Sequence, residues 1–227
     1  MIIPRCLAAL TDGENDFIAL EDVTPLGFGP VTRQNTLTLS ECSLILKTLA
    51  KFHAVSFAYK DQNQKEFQML AEKLLETYFT PQLYSWYKGF QTLVFRVAKD
   101  ALAQEYPGTK VEERFNSWTG EELYDKSVEF CSRINAPTSV ITQGDTWPPN
   151  FLIRKSDEKD PVALALDFQM ARCASPVLDT SYFIYTCTEK SLRDNHYDEM
   201  LKLYHNELSI SISLLGSDPK HLYPWNI

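Results

Sequence analysis

The chain has no apolar run of the ~18–20 residues that a membrane-spanning helix requires, and it has no excess of basic residues. Its 22 Lys and Arg stand against 30 Asp and Glu, a formal net charge of -8. Nucleic acid and anionic membrane both need basic patches, so neither is an expected partner. No Cys-x-x-Cys occurs. Cys6, Cys42, Cys131, Cys173 and Cys187 are odd in number and widely spaced, which argues against a disulfide framework or a thiolate metal site and reads as reduced thiols in a cytoplasmic protein. The first ten residues are interrupted by Pro4 and Arg5 and then turn polar, unlike a signal peptide. Internal repeats, low-complexity segments and long charge runs are also missing, and nothing in the sequence reports an oligomeric state.

What is present is a globular composition, 44% hydrophobic over 227 residues, suited to one domain or to one domain and part of another. Phe17–Leu20 reads as a short buried strand leading through Glu21-Asp22 into a Gly/Pro-rich connector from Pro25 to Pro30, a hinge in pattern. A helix opens at Ser40 with Cys42, Ile45, Leu46, Leu49 and Phe52 along one face. Helical pattern fills roughly 64–105, broken at Pro81 and at Pro107-Gly108. Thr119-Gly120-Glu121-Glu122 is a capping box, followed by a stripe of Leu123, Phe130, Cys131 and Ile134 with Ser127 on the same face. A last helix carries Leu201, Tyr204, Leu208, Ile212 and Leu215. The pattern predicts a mostly helical α+β chain with one small sheet at its chemical centre.

That centre lies between Gln143 and Asp179. The strand-like Ser139–Thr142 precedes Gly144-Asp145-Thr146-Trp147-Pro148-Pro149-Asn150. Gly144 permits a tight turn that presents Asp145, and Pro148 and Pro149 are expected to stiffen the loop in an extended form. Phe151–Arg154 and Val162–Leu166 read as two strands of a hairpin centred between Glu158 and Lys159. That register sets Phe151 opposite Leu166 and Asn150 opposite Asp167, with Cα atoms ~4.5–5.5 Å apart. An amide oxygen beside a carboxylate suits magnesium, which takes one or two carboxylates and completes its shell with phosphate and water. Phosphoryl transfer also needs a carboxylate to orient the attacking hydroxyl, and Asp145 fits that part.

The same residues have plainer readings. Asp145 and Asn150 are common turn residues, Asp167 could cap a helix, and Asp179 is structural before it is catalytic. His53, behind an apolar stripe, reads as a core histidine. Tyr182, Phe183 and Tyr185 read as core aromatics, with the alternative that one of them lines a substrate pocket.

Asp145-x(4)-Asn150 followed by Asp167-Phe168-Gln169 resembles the catalytic and metal loops of the protein-kinase-like fold. The wording Asp167–Arg172, Ser175–Asp179, Leu20-Glu21-Asp22 and Leu49–Ala54 resembles the CHK kinase-like, or ecdysteroid kinase-like, family, related to choline and aminoglycoside kinases. The resemblance covers roughly residues 1–215 and implies ATP-dependent phosphorylation of a small-molecule alcohol, ecdysteroid- or choline-like, with magnesium. Carried over by position, Asp145 is the catalytic base and Asn150 and Asp167 hold the metal. Asp179 braces the loop, and Leu20, Glu21, Asp22 and Val23 meet adenine through their backbone. The implied division is a remnant of the N-terminal lobe and hinge over 1–24 and a helical C-terminal lobe over 25–227.

Two departures stand out. Gln143 occupies the place where the family has His. Before Phe17 there is no glycine-rich phosphate loop, no strand with a phosphate-gripping lysine and no partner glutamate helix, so the chain resembles such a kinase truncated at its start. Losing an electrostatic grip of that kind typically costs ~2.7–4 kcal/mol of transition-state stabilisation. A non-catalytic, pseudokinase-like nucleotide- or ligand-binding module is therefore the alternative. A metal-dependent phosphoester hydrolase rests on the paired acids alone.

Overall fold

The computed structural model describes residues 2–31, 36–154 and 161–225. In chain order the elements are β1 (Cys6–Leu10), β2 (Phe17–Leu20), β3 (Phe28–Pro30), α1 (Leu39–Gln62), α2 (Gln64–Ala71), α3 (Tyr84–Glu105), α4 (Lys110–Asn116) and α5 (Gly120–Cys131). Then follow β4 (Val140–Thr142), β5 (Phe151–Arg154), β6 (Val162–Ala165), β7 (Arg172–Ala174), α6 (Val177–Cys187), α7 (Lys190–Leu214) and α8 (Pro219–Leu222). The α+β class predicted from the pattern is the one observed.

Helix α1 is the spine. It starts with a capping box in which the Thr38 hydroxyl accepts the Glu41 N–H and the Glu41 carboxylate returns to the Thr38 N–H, satisfying two of the orphan donors at a helix start. Between Cys42 and Ala58 only Lys47, Lys51 and Val55 are exposed, a single stripe at four-residue spacing. A helix buried on nearly all sides has to lie at the centre of its domain. Its partner is α7, which contributes Met200, Tyr204, Leu208 and Ile212 to the same core; each such side chain gains ~1.5–3 kcal/mol on burial.

The polar residues of α1 bind the strands to it. Thr48 donates to the Ala163 carbonyl of β6 (2.8 Å). The Ser56 hydroxyl accepts the Ile141 N–H of β4 (2.8 Å). Lys60 donates to the carbonyls of Ala136, Pro137 and Ser139, which lead into β4.

Among the described residues the strands form three small antiparallel sheets, β1-β2, β3-β5-β6 and β4-β7, where one was expected. The loop carrying Asp145 therefore runs between two sheets, from β4 to β5. Phe151 faces Ala165, one residue off the expected register, so Asn150 lies opposite Leu166 and accepts its N–H (2.8 Å). A one-residue slip reverses which face each side chain takes. The expected turn between Glu158 and Lys159 lies outside the described residues.

Other corrections concern burial. Phe17 and Ile18 are 50% and 71% exposed; β2 pairs with β1, and nothing among the described residues covers the ribbon's faces. On α5 the capping box at Thr119 is formed as expected, but Tyr124 is the fully buried residue and Phe130 is exposed.

Candidate active site

Gly144 leaves β4 at φ +89° and Gln143–Asn150 crosses to β5. The Asp145 carbonyl accepts from the Trp147 N–H (2.9 Å) and from Asn150 Nδ2 (2.9 Å). Asn150 Nδ2 also reaches the Asp145 carboxylate at Oδ2 (3.1 Å). Pro148–Asn150 form a single 3-10 turn, not the extended segment expected. A proline φ near −65° suits the first turn of a helix as well as extended backbone, and the bond between Asn150 and the Asp145 carbonyl requires the curled form.

Asp167 follows β6 at the open end of the hairpin. It is exposed and sits at φ 53°, a left-handed conformation that costs a non-glycine residue ~1–3 kcal/mol and collects at functional sites. Its Oδ1 accepts the Gln169 N–H (3.3 Å). The buried Gln143 side chain connects this segment to the Asp145 loop. Its Oε1 accepts the Asp145 N–H (2.8 Å), and its Nε2 donates to the carbonyls of Leu166 (2.9 Å) and Asp167 (2.6 Å). Asp145 and Asn150 are thus in direct contact, and Asp167 is tied to them through backbone.

Asp179, on the first turn of α6, is 2% exposed and braces the loop from beneath. Its Oδ2 accepts the Gln143 N–H (2.6 Å), its Oδ1 the Gly144 N–H (2.9 Å), and its carbonyl the Thr146 hydroxyl (2.9 Å). His53 completes the arrangement, with Nε2 to Asp179 Oδ2 (3.1 Å) and Nδ1 to the Tyr204 hydroxyl (2.8 Å). Burial holds the Tyr204 phenol well above its usual range, so its hydroxyl stays protonated. His53 is a buried histidine with both nitrogens satisfied, and Asp179 is structural. Asp179→Asn should destabilise the protein by ~1–3 kcal/mol, because one backbone N–H then faces an amide nitrogen. At roughly 2–4 °C per kcal/mol for a chain of this size, thermal unfolding should show a midpoint lowered by several degrees; an unchanged midpoint would contradict the bracing role.

Asp145 also borders a cavity of about 590 Å³. One side is α6, with Leu178, Tyr182 and Tyr185; the other is Tyr78 and Phe79 after α2, with Phe130 and Cys131 of α5. Tyr182 and Tyr185 are 42% and 61% exposed, and only Phe183 of the three aromatics is core. Helical spacing divides them: Asp179, Tyr182 and Thr186 share the cavity side, while Phe183 turns inward. The Tyr182 hydroxyl lies 3.4 Å from Asp145 Oδ1. Burial, then the Asp145 carboxylate, pushes its pKa up, so it remains a donor.

The Tyr78-Phe79 wall is held by Glu76, whose carboxylate accepts both of their N–H groups (2.9 Å each) and pairs with Arg172 of β7, 7% exposed. Neither Glu76 nor the role of Arg172 was legible beforehand, since 96 residues separate them.

Of the expected adenine-contact segment, Leu20 is exposed at the end of β2, while Val23 is buried against Phe28 and Leu164. The Glu21 N–H donates to the Arg5 carbonyl, and the Val23 carbonyl accepts from Leu26 and Phe28. Among the described residues no group of three or more His, Cys, Asp or Glu is placed to hold a metal, and no helix is long and apolar enough to cross a membrane.

Comparison with known proteins gives three findings. A solved ethanolamine kinase of Plasmodium vivax is similar at 15% identity and a TM-score of 0.41, over 94% of this chain and 59% of that one; this chain thus spans less than two thirds of that protein's length. No curated protein matches. The profile of the ecdysteroid kinase-like family matches residues 1–217, and with it comes the protein-kinase-like fold anticipated from the loops. On that match, nearly end to end, the chain belongs to the ecdysteroid kinase-like family.

Proposed function

We propose that this protein transfers the γ-phosphoryl group of ATP to a hydroxyl of a small, neutral, largely apolar alcohol seated in the cavity beside Asp145. The observation that carries the reading is the position of that carboxylate, at the polar corner of an aromatic-walled cavity and bonded to Asn150 behind it. Asp145 would orient the acceptor hydroxyl and take up its proton. Asn150 gives its Nδ2 to Asp145, which turns Oδ1 to the other side of the amide. That oxygen and the exposed Asp167 carboxylate form a hard donor set of the kind magnesium accepts. Magnesium bound with ATP would supply neutralisation of charge on the phosphate oxygens.

Adenine would use backbone groups of the 20–23 segment; among the described residues no backbone bond engages the Glu21 carbonyl or the Val23 N–H. On this reading residues 1–24 are the N-terminal-lobe and hinge portion and 25–227 the helical lobe. The five unpaired thiols fit a reducing, cytoplasmic setting.

A neutral acceptor is favoured over a choline- or ethanolamine-like cation. Of the charges around the cavity, Arg172 and Glu76 neutralise each other, and Asp179 is engaged by His53 and two backbone amides. Asp145, the group needed at the hydroxyl, is the carboxylate left to a cationic head, whose remaining contacts would be with aromatic faces.

The test is ADP release from Mg-ATP with a panel of sterol-type alcohols set beside choline and ethanolamine, with nucleotide binding followed by calorimetry. Release with the neutral alcohols alone is the expected result. Release with choline or ethanolamine alone would overturn the acceptor class. Magnesium-dependent binding without release in any case would leave a nucleotide-binding module that does not catalyse transfer.

A further inference from the structure

We propose that Gln143 is a positioning residue whose amide joins the Asp145 loop to the Asp167 segment, so that a cation bound at Asn150 and Asp167 rigidifies Asp145 as well. The role of Asp145 and the cation site rest on the kinase reading above; the clasp itself rests on geometry. A primary amide has two N–H donors and a carbonyl acceptor. Here Oε1 takes the Asp145 N–H at 2.8 Å, and Nε2 faces the carbonyls of Leu166 and Asp167 at 2.9 and 2.6 Å. The side chain is fully buried, where unmet partners are expensive. Its main-chain N–H is anchored independently on Asp179 at 2.6 Å, so the side chain is a short lever with a fixed base.

Few side chains can do this. A neutral imidazole has one donor and one acceptor and would leave one of the three backbone groups unmet. A glutamate has acceptors only and would face two carbonyls. Asparagine has the right groups on a stem shorter by a carbon. The bond to the Asp167 carbonyl also holds a residue at φ 53°, a conformation that surrounding contacts must impose. Gln143 thus acts on the cation-holding side by fixing the Asp167 backbone, and on the carboxylate side by fixing the Asp145 N–H.

Residue-resolved amide hydrogen exchange, with Mn²⁺ alone as the probe, tests the clasp. In the wild-type protein the Asp145 N–H should exchange slowly, and Mn²⁺ should slow exchange over 145–150 as well as over 166–169. In Gln143→Leu the Asp145 N–H should exchange at least ~10-fold faster, Mn²⁺ affinity should fall ~10–100-fold, as it does when groups supporting metal ligands are removed, and any remaining slowing should be confined to 166–169. Gln143→His keeps one donor and one acceptor and should fall between the two, which separates a clasp from a space-filling residue.

Should neither variant fold, the wild-type titration still decides. Slowing restricted to 166–169 would overturn the coupling. Absence of Mn²⁺ binding would instead defeat the metal assignment, and a fast Asp145 N–H in the wild-type protein would overturn the clasp itself.

Discussion

Asp145→Asn should lower the rate of acceptor-dependent ADP release by a factor of ~10²–10⁴, the range supplied by a positioned proton acceptor, or ~2.7–5.5 kcal/mol of barrier at ~1.36 kcal/mol per tenfold. The substitution keeps size and shape. The Asp145 N–H and carbonyl, which bond Gln143, Trp147 and Asn150, belong to the backbone and are untouched. What changes is the charge facing the cavity and the partnership with Tyr182 and Asn150 Nδ2. Melting should therefore stay within about 2–4 °C of the parent, equivalent to ~1 kcal/mol, and Mg-ATP binding should survive. Turnover retained at the parent rate would remove Asp145 as the base and with it the proposed chemistry.

Gly144→Ala should be damaging for a different reason. A Cβ at this position would lie 1.9 Å from the Met170 carbonyl oxygen and 2.4 Å from its carbon. Those atoms are backbone, in the segment between Asp167 and β7, so no rotamer change can relieve the collision. Added to that is a φ of +89°, which side-chain-bearing residues rarely adopt. Either the Asp145 loop or the Asp167 segment must move, and Gln143 links the two. We expect a loss of ~4–5 kcal/mol, at the exceptional end for single substitutions, seen as a midpoint lowered by roughly 8–20 °C together with loss of Mg-ATP binding. Gly13→Ala is the control, because Gly13 has φ +84° and a methyl group there would meet nothing within 4 Å; it isolates the backbone preference, worth about 1 kcal/mol. If both variants melt alike, close approach to Met170 is not what Gly144 provides.

The parts of the site that were readable in advance are those set by local chemistry. A residue with φ > 0 at a loop bearing Asp145, an asparagine five residues on and an acid after the next apolar run could all be placed by spacing. The Thr119 capping box was readable for the same reason. The equivalent box at Thr38 and Glu41 is present too, but the apolar stripe points to a start at Ser40, because the stripe and not the cap sets the expected boundary.

Register was not readable. Phe151 pairs with Ala165, and alternation of apolar residues in Val162–Leu166 is too weak to select one pairing. Burial departs from expectation where it depends on cover from elsewhere, as at Phe17 and Ile18, or on which way a helix is rolled, as with Tyr182 and Tyr185 against Phe183.

Residue order alone marked several of the helices and strands and the candidate site residues, an acid, an amide and a second acid, presented by a tight turn and the end of a strand. It did so because caps, turn residues and strand ends act over a few bonds, within reach of a linear reading. Only the tertiary structure decided that Gln143 spans two loops, that Asp179 and His53 support them from α6 and α1, and that Glu76 and Arg172 hold the cavity wall. The long-range contacts among these join residues from 23 to 126 positions apart, and their strength comes from burial and from geometry at the ångström level, neither of which a sequence carries.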